Sequence, residues 1–498
     1  MKVAQIDDGT ITGVSRLTEF RYSELFVSAI LNSPTPEPFM FRLNLGTSDH
    51  YCDGVSRRNF LQLGVAGMAA VGLPEVLRAK EASPGSSKSA KGTSVILLWL
   101  DGGPSHIDMY DMKPDAPAEY RGLWKPIRTK VPGFDITELF PKQAKQTDKF
   151  SMVRSLHHDT GDHFAGAHRM ITTKDMGVSG ANTAPKFPGI GAIVDREVGA
   201  RRRGMPGHVA APHSASVGLV PGYFGGQMLG AEHDPFLTGD PNTPNFQVRN
   251  FNLAAGLTLQ KMEDRRTLLN HFDKSQAHLA KHPSAKAMDR FGEEAFEFVT
   301  GPQARKAFDI GKEDVRLRDR YGRNSFGQSA LLARRLVEAG STFVTVHSGG
   351  WDHHWDLKES YERMLPQVDA AVASLFEDLD DRGLLDTTLV VLCGEFGRTP
   401  KMNDGGNGGA PMSKGTPGRD HWGDAMFCLM GGGGVKGGQI VGSTDRLGRR
   451  PHTGAVTPSN VHATIYRILG IDPKLQLLEP GGRPVNVLDD PTPISELL

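Results

Sequence analysis

The chain has 498 residues, and 57 Lys and Arg are balanced by 57 Asp and Glu, so its formal charge at neutral pH is zero. A neutral chain offers no electrostatic attraction for nucleic acid, and three cysteines in this length exclude a disulfide-based scaffold. The hydrophobic fraction of 38% is typical of an ordered globular protein. No apolar run reaches the length of a membrane-spanning helix, so we expect no stable membrane span. Because the chain is neutral, we also expect no nucleic-acid partner.

The N-terminal region has the sequence pattern of an export signal. Arg57 and Arg58 precede a short, Gly/Ala-rich apolar run over residues 59–73, which is the pattern of a twin-arginine signal. The alternative, a cytosolic amphipathic helix, is disfavoured because the run has no charged face. The pattern therefore predicts export through the twin-arginine translocation machinery and a periplasmic or extracellular location.

The position of this signal predicts how the chain is divided. The 55 residues before the arginine pair exceed what a signal needs, so we infer that translation starts at Met40 and that residues 1–39 are an artefact of the assigned start codon. The signal region then covers 40–82, and a Ser- and Lys-rich linker covers 83–92. Residues 93–498 remain as one predicted α/β domain.

Four continuous apolar runs in this domain are typical of strands buried on both faces, as in a parallel sheet. They cover residues 94–100, 343–347, 388–393 and 425–430. A long segment between the second and third runs has apolar residues three and four apart and ends at Gly383, which predicts a helix. A strand, a helix and a strand in this order form a β-α-β crossover.

Other segments of the domain have weaker patterns. Residues 150–156 are predicted as a short strand, and a helix is predicted to start with Ser459 as its cap and to end before Gly470. Residues 257–340 are predicted to be mostly helical. Residues 180–255 are rich in Gly, Pro, Asn and Phe and are predicted to be an irregular insertion over the sheet.

Polar clusters follow three of the four predicted strands and precede the fourth. They cover residues 101–106, 348–356, 394–400 and 418–423. Open α/β sheets place their sites beyond the carboxyl ends of strands, so these side chains are expected to meet at one rim. Mixed carboxylate and imidazole ligands favour zinc, manganese or iron; the alternative is that each cluster caps a loop. Four members are expected to be structural or supporting: His106, His353, Asp356 and Asp420.

A fifth polar cluster, residues 157–163, lies between the strand over 150–156 and a helical stretch. The N-terminus of a helix offers free N–H groups and a positive dipole, which suit an anion. Thr160 is the only hydroxyl in the cluster and is a candidate nucleophile if a metal lowers its pKa. The alternative is that Thr160 caps the helix.

These motifs give the chain its resemblance to a family of exported bacterial proteins, domain of unknown function 1501, which is described as sulfatase-like and placed in the alkaline phosphatase superfamily. The resemblance covers residues 40–498 and is carried by motifs at 53–58, 102–106, 350–354, 382–385, 394–400 and 418–422. It implies an alkaline-phosphatase-like α/β fold, with a predominantly parallel central sheet flanked by helices on both faces.

The resemblance also implies the residues of a metal site. The implied ligands are Asp101, Asp352, His354, Glu395 and His421. Phe396 stands where the superfamily usually has a histidine ligand, so one metal, or none, remains an alternative to two. The segment 160–163 falls at the position of the superfamily's nucleophile.

The candidate catalytic residues are accordingly Thr160, Asp162, His163 and Arg398. Arg398 is a candidate to hold the anionic group of a substrate, and Arg169 and Arg419 are alternatives to it.

The resemblance implies hydrolysis of phosphate or sulfate esters outside the cytoplasm, with a divalent metal ion and a small-molecule or glycan ester as substrate. Sulfatases use a cysteine in the context Cys-x-Pro-x-Arg, and neither Cys52, Cys393 nor Cys428 has that context. Hydrolysis by the usual sulfatase route is therefore not expected. The alternative is a catalytically inactive relative that binds anionic glycans or a partner protein.

Overall fold

The computed structural model describes the greater part of the predicted α/β domain. The described residues are 92–176, 186–248, 301–404 and 416–498, together with 261, 264, 267 and 296–298. The proposed start site, signal region and linker up to residue 91 lie outside them, as does most of the predicted helical segment before residue 301. Within these ranges, no helix combines the length and apolar character needed to cross a membrane.

One large sheet organises the domain. Its eight strands are β1 (Ser94–Leu100), β4 (Phe150–Leu156), β5 (His208–Ala211), β6 (Phe236–Leu237), β7 (Phe343–Ser348), β8 (Thr388–Cys393), β11 (Met426–Gly431) and β12 (Ile440–Val441). Their order across the sheet is β12-β4-β11-β8-β1-β7-β5-β6. Neighbouring strands are parallel except where β11 pairs with β4 and β8.

Smaller elements surround this sheet. Four two-stranded sheets pair β2 (Pro126–Ile127) with β3 (Ile136–Thr137), β9 (Gly397–Arg398) with β10 (His421–Trp422), β13 (Ser443–Thr444) with β14 (Pro451–Thr453) and β15 (Gln476–Leu478) with β16 (Pro484–Asn486). The described α-helices are α1 (His106–Met109), α2 (His163–Thr172), α3 (Ile190–Val198), α4 (Pro302–Phe308), α5 (Val315–Tyr321), α6 (Ser325–Ala339), α7 (Leu357–Asp381) and α8 (Pro458–Leu469).

The central strand β1 is buried along its whole length because helices cover both faces of the sheet. Alternate residues of a strand point to opposite faces, and Ile96 and Leu98 accordingly belong to one apolar core while Val95 and Leu97 belong to the other. The first core includes residues of α6 and α7, and the second includes residues of α2, α3 and α8. The prediction of an α/β fold with a predominantly parallel sheet flanked by helices on both faces is confirmed.

The predicted β-α-β crossover is also present. It consists of β7, the 25-residue helix α7 and β8, and β1 lies between the two strands. Gly383, just after α7, has a φ of 65°, a conformation that glycine adopts without steric cost. The loops after β7 and β8 therefore emerge at the same edge of the sheet, on either side of the loop after β1.

Three local features differ from the sequence predictions. The fourth predicted strand, β11, is antiparallel to its neighbours, which a continuous apolar run cannot reveal because it reports burial and not direction. The cap of α8 is Thr457 and not Ser459, since the Thr457 N–H and hydroxyl both donate to Oδ1 of Asn460. The segment expected to be irregular, 180–255, contributes α3, the strand β5 and the edge strand β6, and both strands are too short to show a clear period.

Candidate metal centre

The loops that follow the central strands meet at one edge of the sheet. Asp101 follows β1, Asp352 follows β7, and Glu395 follows β8. His421 lies before β11, but β11 is antiparallel, so its first residue lies at the same edge as the last residues of its neighbours. The topology thus gathers at one rim side chains that are more than 300 residues apart in the chain.

Three of the predicted ligands form a compact triangle of donor atoms. Oδ1 of Asp352 lies 3.1 Å from Nε2 of His354 and 3.0 Å from Nε2 of His421, and the two Nε2 atoms are 2.9 Å apart. The ligand atoms of a tetrahedral zinc ion, each about 2.0–2.2 Å from the metal, stand roughly 3.3 Å from one another. The triangle therefore has the size of one face of such a coordination sphere.

The other nitrogen of each imidazole is held by an acceptor, and this fixes which nitrogen is free. Nδ1 of His354 donates to Oδ1 of Asp420 at 2.7 Å, and Nδ1 of His421 donates to the carbonyl of Gly161 at 2.6 Å. In a neutral imidazole the proton on Nδ1 leaves a lone pair on Nε2. Both lone pairs then point into the triangle, which is the arrangement that metal-ligating histidines adopt.

His163 extends the cluster on the other oxygen of Asp352. Its Nε2 lies 3.2 Å from Oδ2 of Asp352, and its Nδ1 lies 2.8 Å from Oε1 of Glu395. The ligand atoms of His163, Asp352 and His421 all lie within 4.8 Å of one another. His163, predicted as catalytic, is thus a further candidate ligand at the first turn of α2.

Glu395 lies behind this imidazole and not among the Nε2 atoms. It is completely buried, and both its carboxylate oxygens accept the N–H of Gly102, at 2.8 and 3.1 Å. Gly102 has a φ of 120°, and a Cβ there would lie 2.6 Å from the backbone nitrogen of Asp352. This position requires glycine, because the loops after β1 and β7 touch through their backbones.

Arg398 fixes Asp352 from the protein side. Its Nη2 donates to Oδ1 of Asp352 at 2.6 Å, and its other donors reach the carbonyls of Gly103, at 2.7 Å, and Arg419, at 3.0 Å. The Arg398 side chain is completely buried. Its position is therefore that of a clamp on Asp352, with no surface left to face a substrate anion.

Phe396 packs against the imidazoles. Its ring centroid lies 4.5 Å from that of His421 and 5.1 Å from that of His163. Space beside the ring is tight, since a Cβ at Gly103 would lie 2.2 Å from its Cε2 atom. The residue that stands in place of an expected histidine thus supplies packing for two imidazoles that come from other segments.

The electrostatics follow from these contacts. Burial alone would raise the pKa of Asp352, but in the metal-free protein the close contacts with the imidazoles of His163, His354 and His421 and the charge of Arg398 hold that pKa far below its ordinary value. Burial acts to lower the pKa of His163, yet its bonds to Asp352 and Glu395 raise that pKa to about 9. The cluster is therefore built around an ionised carboxylate that attracts positive charge, carried by protons or by a cation.

Asp101 is directed away from the triangle. Oδ1 accepts the Ser216 hydroxyl at 2.9 Å, and Oδ2 accepts the N–H of Val217 at 2.6 Å and lies 3.5 Å from Nε2 of His347. Asp101 and Glu395 thus occupy the rim without contributing an atom to the Nε2 cluster. Donors from residues 216 and 217 could not be anticipated, because no pattern in the sequence pairs that segment with the first strand.

The remaining predicted residues lie around the cluster. Asp162, and not Thr160, caps α2, because its side chain accepts the N–H of Ala165 at 2.9 Å. Oγ1 of Thr160 accepts the N–H of Asp162 at 3.2 Å. The two alternative arginines lie elsewhere: Arg169 pairs with Asp159, and Arg419 pairs with Asp108.

Two supporting contacts become visible only in the structure. Asp420, which was expected to be structural or supporting, accepts from Nδ1 of His354. Its place in the sequence does not identify it as the partner of that imidazole. Nε2 of His158 contacts the carbonyl of Glu395 at 2.5 Å. A cluster of histidines next to a strand end was the only sequence signal for His158.

No curated protein matches the chain by sequence. Among solved structures, it is similar to a sulfatase from Pseudoalteromonas sp. at 13% identity, with a TM-score of 0.35 over 81% of this chain and 73% of that one. It is similar to the phosphonate monoester hydrolase of Agrobacterium radiobacter at 11% identity, with a TM-score of 0.33 over 81% and 77% of the two chains. A member of the alkaline phosphatase superfamily from Vibrio parahaemolyticus is 9% identical, with a TM-score of 0.33 over 77% and 67%.

These TM-scores are too low to assign a chemistry to this chain, so its chemistry is inferred from its own side chains. The sequence itself matches one family model over residues 92–498, which covers the whole sheet and every residue of the cluster. The chain belongs to the family described as protein of unknown function DUF1501.

Proposed function

We propose that this protein is an exported, metal-dependent hydrolase of phosphate or sulfate monoesters. In this proposal Asp352, His354 and His421 hold a divalent cation, and His163 contacts the other oxygen of the Asp352 carboxylate. The observation that carries the proposal is the triangle of donor atoms with edges of 2.9–3.1 Å, in which each imidazole is held at Nδ1.

The donor set fits zinc, manganese or iron, because it mixes imidazole nitrogen with carboxylate oxygen. Three protein ligands leave coordination positions open, as catalytic sites require and closed structural sites do not. When bound, such a cation polarises an ester oxygen and lowers the pKa of an attacking water or hydroxyl. The side chains of the triangle are 21–39% exposed, so a substrate can reach them.

The residues around the triangle have separate tasks. Asp420 and Glu395 orient His354 and His163 by accepting from their Nδ1 atoms, and Arg398 keeps Asp352 ionised and in place. Hydrolysis adds water across the ester bond, so that the oxygen of the alcohol takes one proton and the acid keeps the hydroxyl. His163, with its raised pKa, is a candidate to supply a proton to this reaction if it does not bind the cation.

The chain's cysteines support a route that does not use a cysteine-derived aldehyde. Cys393 lies within β8 and Cys428 within β11, and their side chains are 3% and 0% exposed. Neither is accessible to a substrate. Phe396 removes one expected imidazole from the rim, and the carboxylates of Asp101 and Glu395 are bonded elsewhere, which favours a single cation at Asp352.

The test uses the exported protein purified without chelators. We expect about one equivalent of bound metal and hydrolysis of p-nitrophenyl phosphate or p-nitrophenyl sulfate that stops on chelation and returns with zinc, manganese or iron. Asp352→Ala abolishes both metal and activity, whereas Asp424→Ala, at an exposed aspartate three residues from His421, changes neither. A metal-free protein without activity, unchanged by Asp352→Ala, refutes the proposal and favours the inactive, glycan- or protein-binding alternative.

The export component is tested separately. The predicted signal requires both Arg57 and Arg58. Replacing both by lysine is expected to leave the precursor in the cytoplasm with its metal centre intact. Normal export of that variant contradicts the proposed route and leaves the proposed chemistry untouched.

A further inference from the structure

A cavity of about 540 Å³ opens beside the candidate metal centre. Its walls are the loop over residues 213–218, the loop over residues 347–352 and the turn after β1. Asp352 belongs to both the cavity wall and the donor triangle. A substrate whose anionic group lies at the triangle would therefore extend its other end into this cavity.

Asp101 fixes the outer wall of the cavity. Its two carboxylate oxygens accept from Ser216 and Val217, and reciprocal backbone bonds of 2.7 and 2.8 Å between Ser216 and Leu219 close a tight turn. Val217 has a φ of 41°, which is sterically unfavourable for a β-branched residue. The bonds to a buried aspartate offset this cost and hold the Val217 side chain at the cavity wall.

The tip of this turn is apolar and exposed. Val217, Leu219 and Val220 are 37%, 48% and 73% exposed. Among the described residues only seven large apolar side chains are exposed to this extent, and these three lie within four positions of the chain. Val217 lines the cavity, and Leu219 and Val220 follow it within the same turn. Single exposed apolar residues are ordinary, but a group of them next to a cavity is typical of a ligand site.

The opposite wall leaves space for a ligand. Gly349 and Gly350 have no side chains there, and a Cβ at Gly350 would have no atom within 4 Å. The imidazole of His347 lines the floor, and its ring centroid lies 4.3 Å from that of His213. The charged groups of the cavity, Asp101 and Asp352, are both acidic, so a second anionic group would be repelled.

We infer that this cavity binds the alcohol portion of the ester and selects an apolar group there, with Val217 as the contact and Leu219 and Val220 extending the surface. The inference rests on the proposed function, because it assumes that the triangle holds the anionic group. It assigns to the protein monoesters of apolar alcohols in preference to those of small, hydrophilic or additional acidic ones.

The test measures binding and not turnover. Methyl-, butyl- and hexylphosphonate, which cannot be hydrolysed as esters, are titrated calorimetrically into the metal-loaded full-length protein. Full burial of a methylene strengthens binding up to about fourfold, so we expect butylphosphonate to bind at least about tenfold more tightly than methylphosphonate. Equal affinity along the series, or no binding of any of the three, overturns the inference.

Two variants locate the effect in the cavity. Val217→Asn suits the left-handed backbone and removes the apolar contact, and Gly349→Leu fills the cavity from a position where a Cβ would meet only Cε1 of His347, at 3.6 Å. Val217→Asn and Gly349→Leu are each expected to abolish the preference for the longer alkyl chain, provided that the melting temperature of the variant is unchanged. The control Val315→Ser, at an exposed valine at the start of α5, is expected to keep this preference. A preference that survives both cavity variants overturns the inference.

The outcome separates this inference from the proposed function. Selective binding of hexylphosphonate without hydrolysis of any ester supports the subsite and refutes the hydrolase. Metal-dependent hydrolysis without selectivity for chain length supports the hydrolase and overturns the subsite.

Discussion

Removing Asp420 tests how the triangle is held, because this residue acts on the metal only through His354. Its Oδ1 accepts from Nδ1 of His354 at 2.7 Å and from Nδ2 of Asn403 at 3.2 Å. With the imidazole between them, the carboxylate would stand roughly 7 Å from a cation on Nε2. A single negative charge at that distance from a divalent cation contributes roughly 1 kcal/mol in a water-like dielectric and more where the site is drier.

Loss of the bond also frees the ring to rotate and to change tautomer. Acceptors of this kind typically contribute ten- to hundredfold to metal affinity. We therefore expect Asp420→Ala to weaken zinc binding at least about tenfold, which corresponds to about 1.4 kcal/mol. Because the Asp420 side chain is 31% exposed, the change in the free energy of unfolding of the metal-free protein should be small, about 1 kcal/mol or less.

The assay is competition with a chromophoric zinc chelator at pH 7.5, carried out in parallel on the wild type, Asp420→Ala and the exposed control Asp424→Ala. The control is expected to match the wild type. A dissociation constant for Asp420→Ala within twofold of the wild-type value refutes the view that His354 binds metal through Nε2 with Nδ1 held by Asp420.

Three further predictions concern the same rim. In the metal-free protein the pKa of His163 is about 9 against an ordinary 6.5, so its contribution to stability is complete below pH 6.5 and is lost as the pH rises through 9. Thermal melts of chelated protein should therefore show that the free energy of unfolding falls by at most about 3 kcal/mol over this range. His163→Gln should remove this pH dependence, and a flat profile for the wild type contradicts the assignment. Gly102→Ala should weaken zinc binding more than tenfold, since the new Cβ would lie 2.6 Å from the Asp352 nitrogen; unchanged affinity in the chelator competition would show that the loops adjust freely. Away from the triangle, Arg419→Met leaves the completely buried Asp108 without its cation, so urea unfolding should show a loss of about 3–5 kcal/mol in the free energy of unfolding; a loss below about 1 kcal/mol contradicts the view that this buried pair stabilises the fold.

The sequence was sufficient to predict the strands that position the site. Continuous apolar runs marked β1 and β8 at the bounds found in the structure, because both strands are buried on both faces of the sheet. The weaker pattern over residues 150–156 also gave the bounds of β4. The convergence of Asp352, His354 and His421 also follows from the sequence, once the polar clusters are assigned to strand ends.

The finer arrangement depends on contacts that no local pattern encodes. Asp101 turns toward residues 216 and 217, which belong to a segment without a clear period. His163 joins the cluster because Asp162 caps α2 and sets the direction of its first turn. Arg398 was predicted from its charge, but its burial, which makes it a clamp on Asp352, depends on carbonyls from two other loops.

Metal binding by Asp352, His354 and His421 can be observed directly by anomalous diffraction from crystals of the protein grown or soaked with zinc, recorded on both sides of the zinc absorption edge. We expect a single strong peak about 2.0–2.2 Å from Oδ1 of Asp352 and from Nε2 of His354 and of His421. Crystals in which these three side chains keep their arrangement, while the anomalous map shows no peak between them at millimolar zinc, would contradict this expectation.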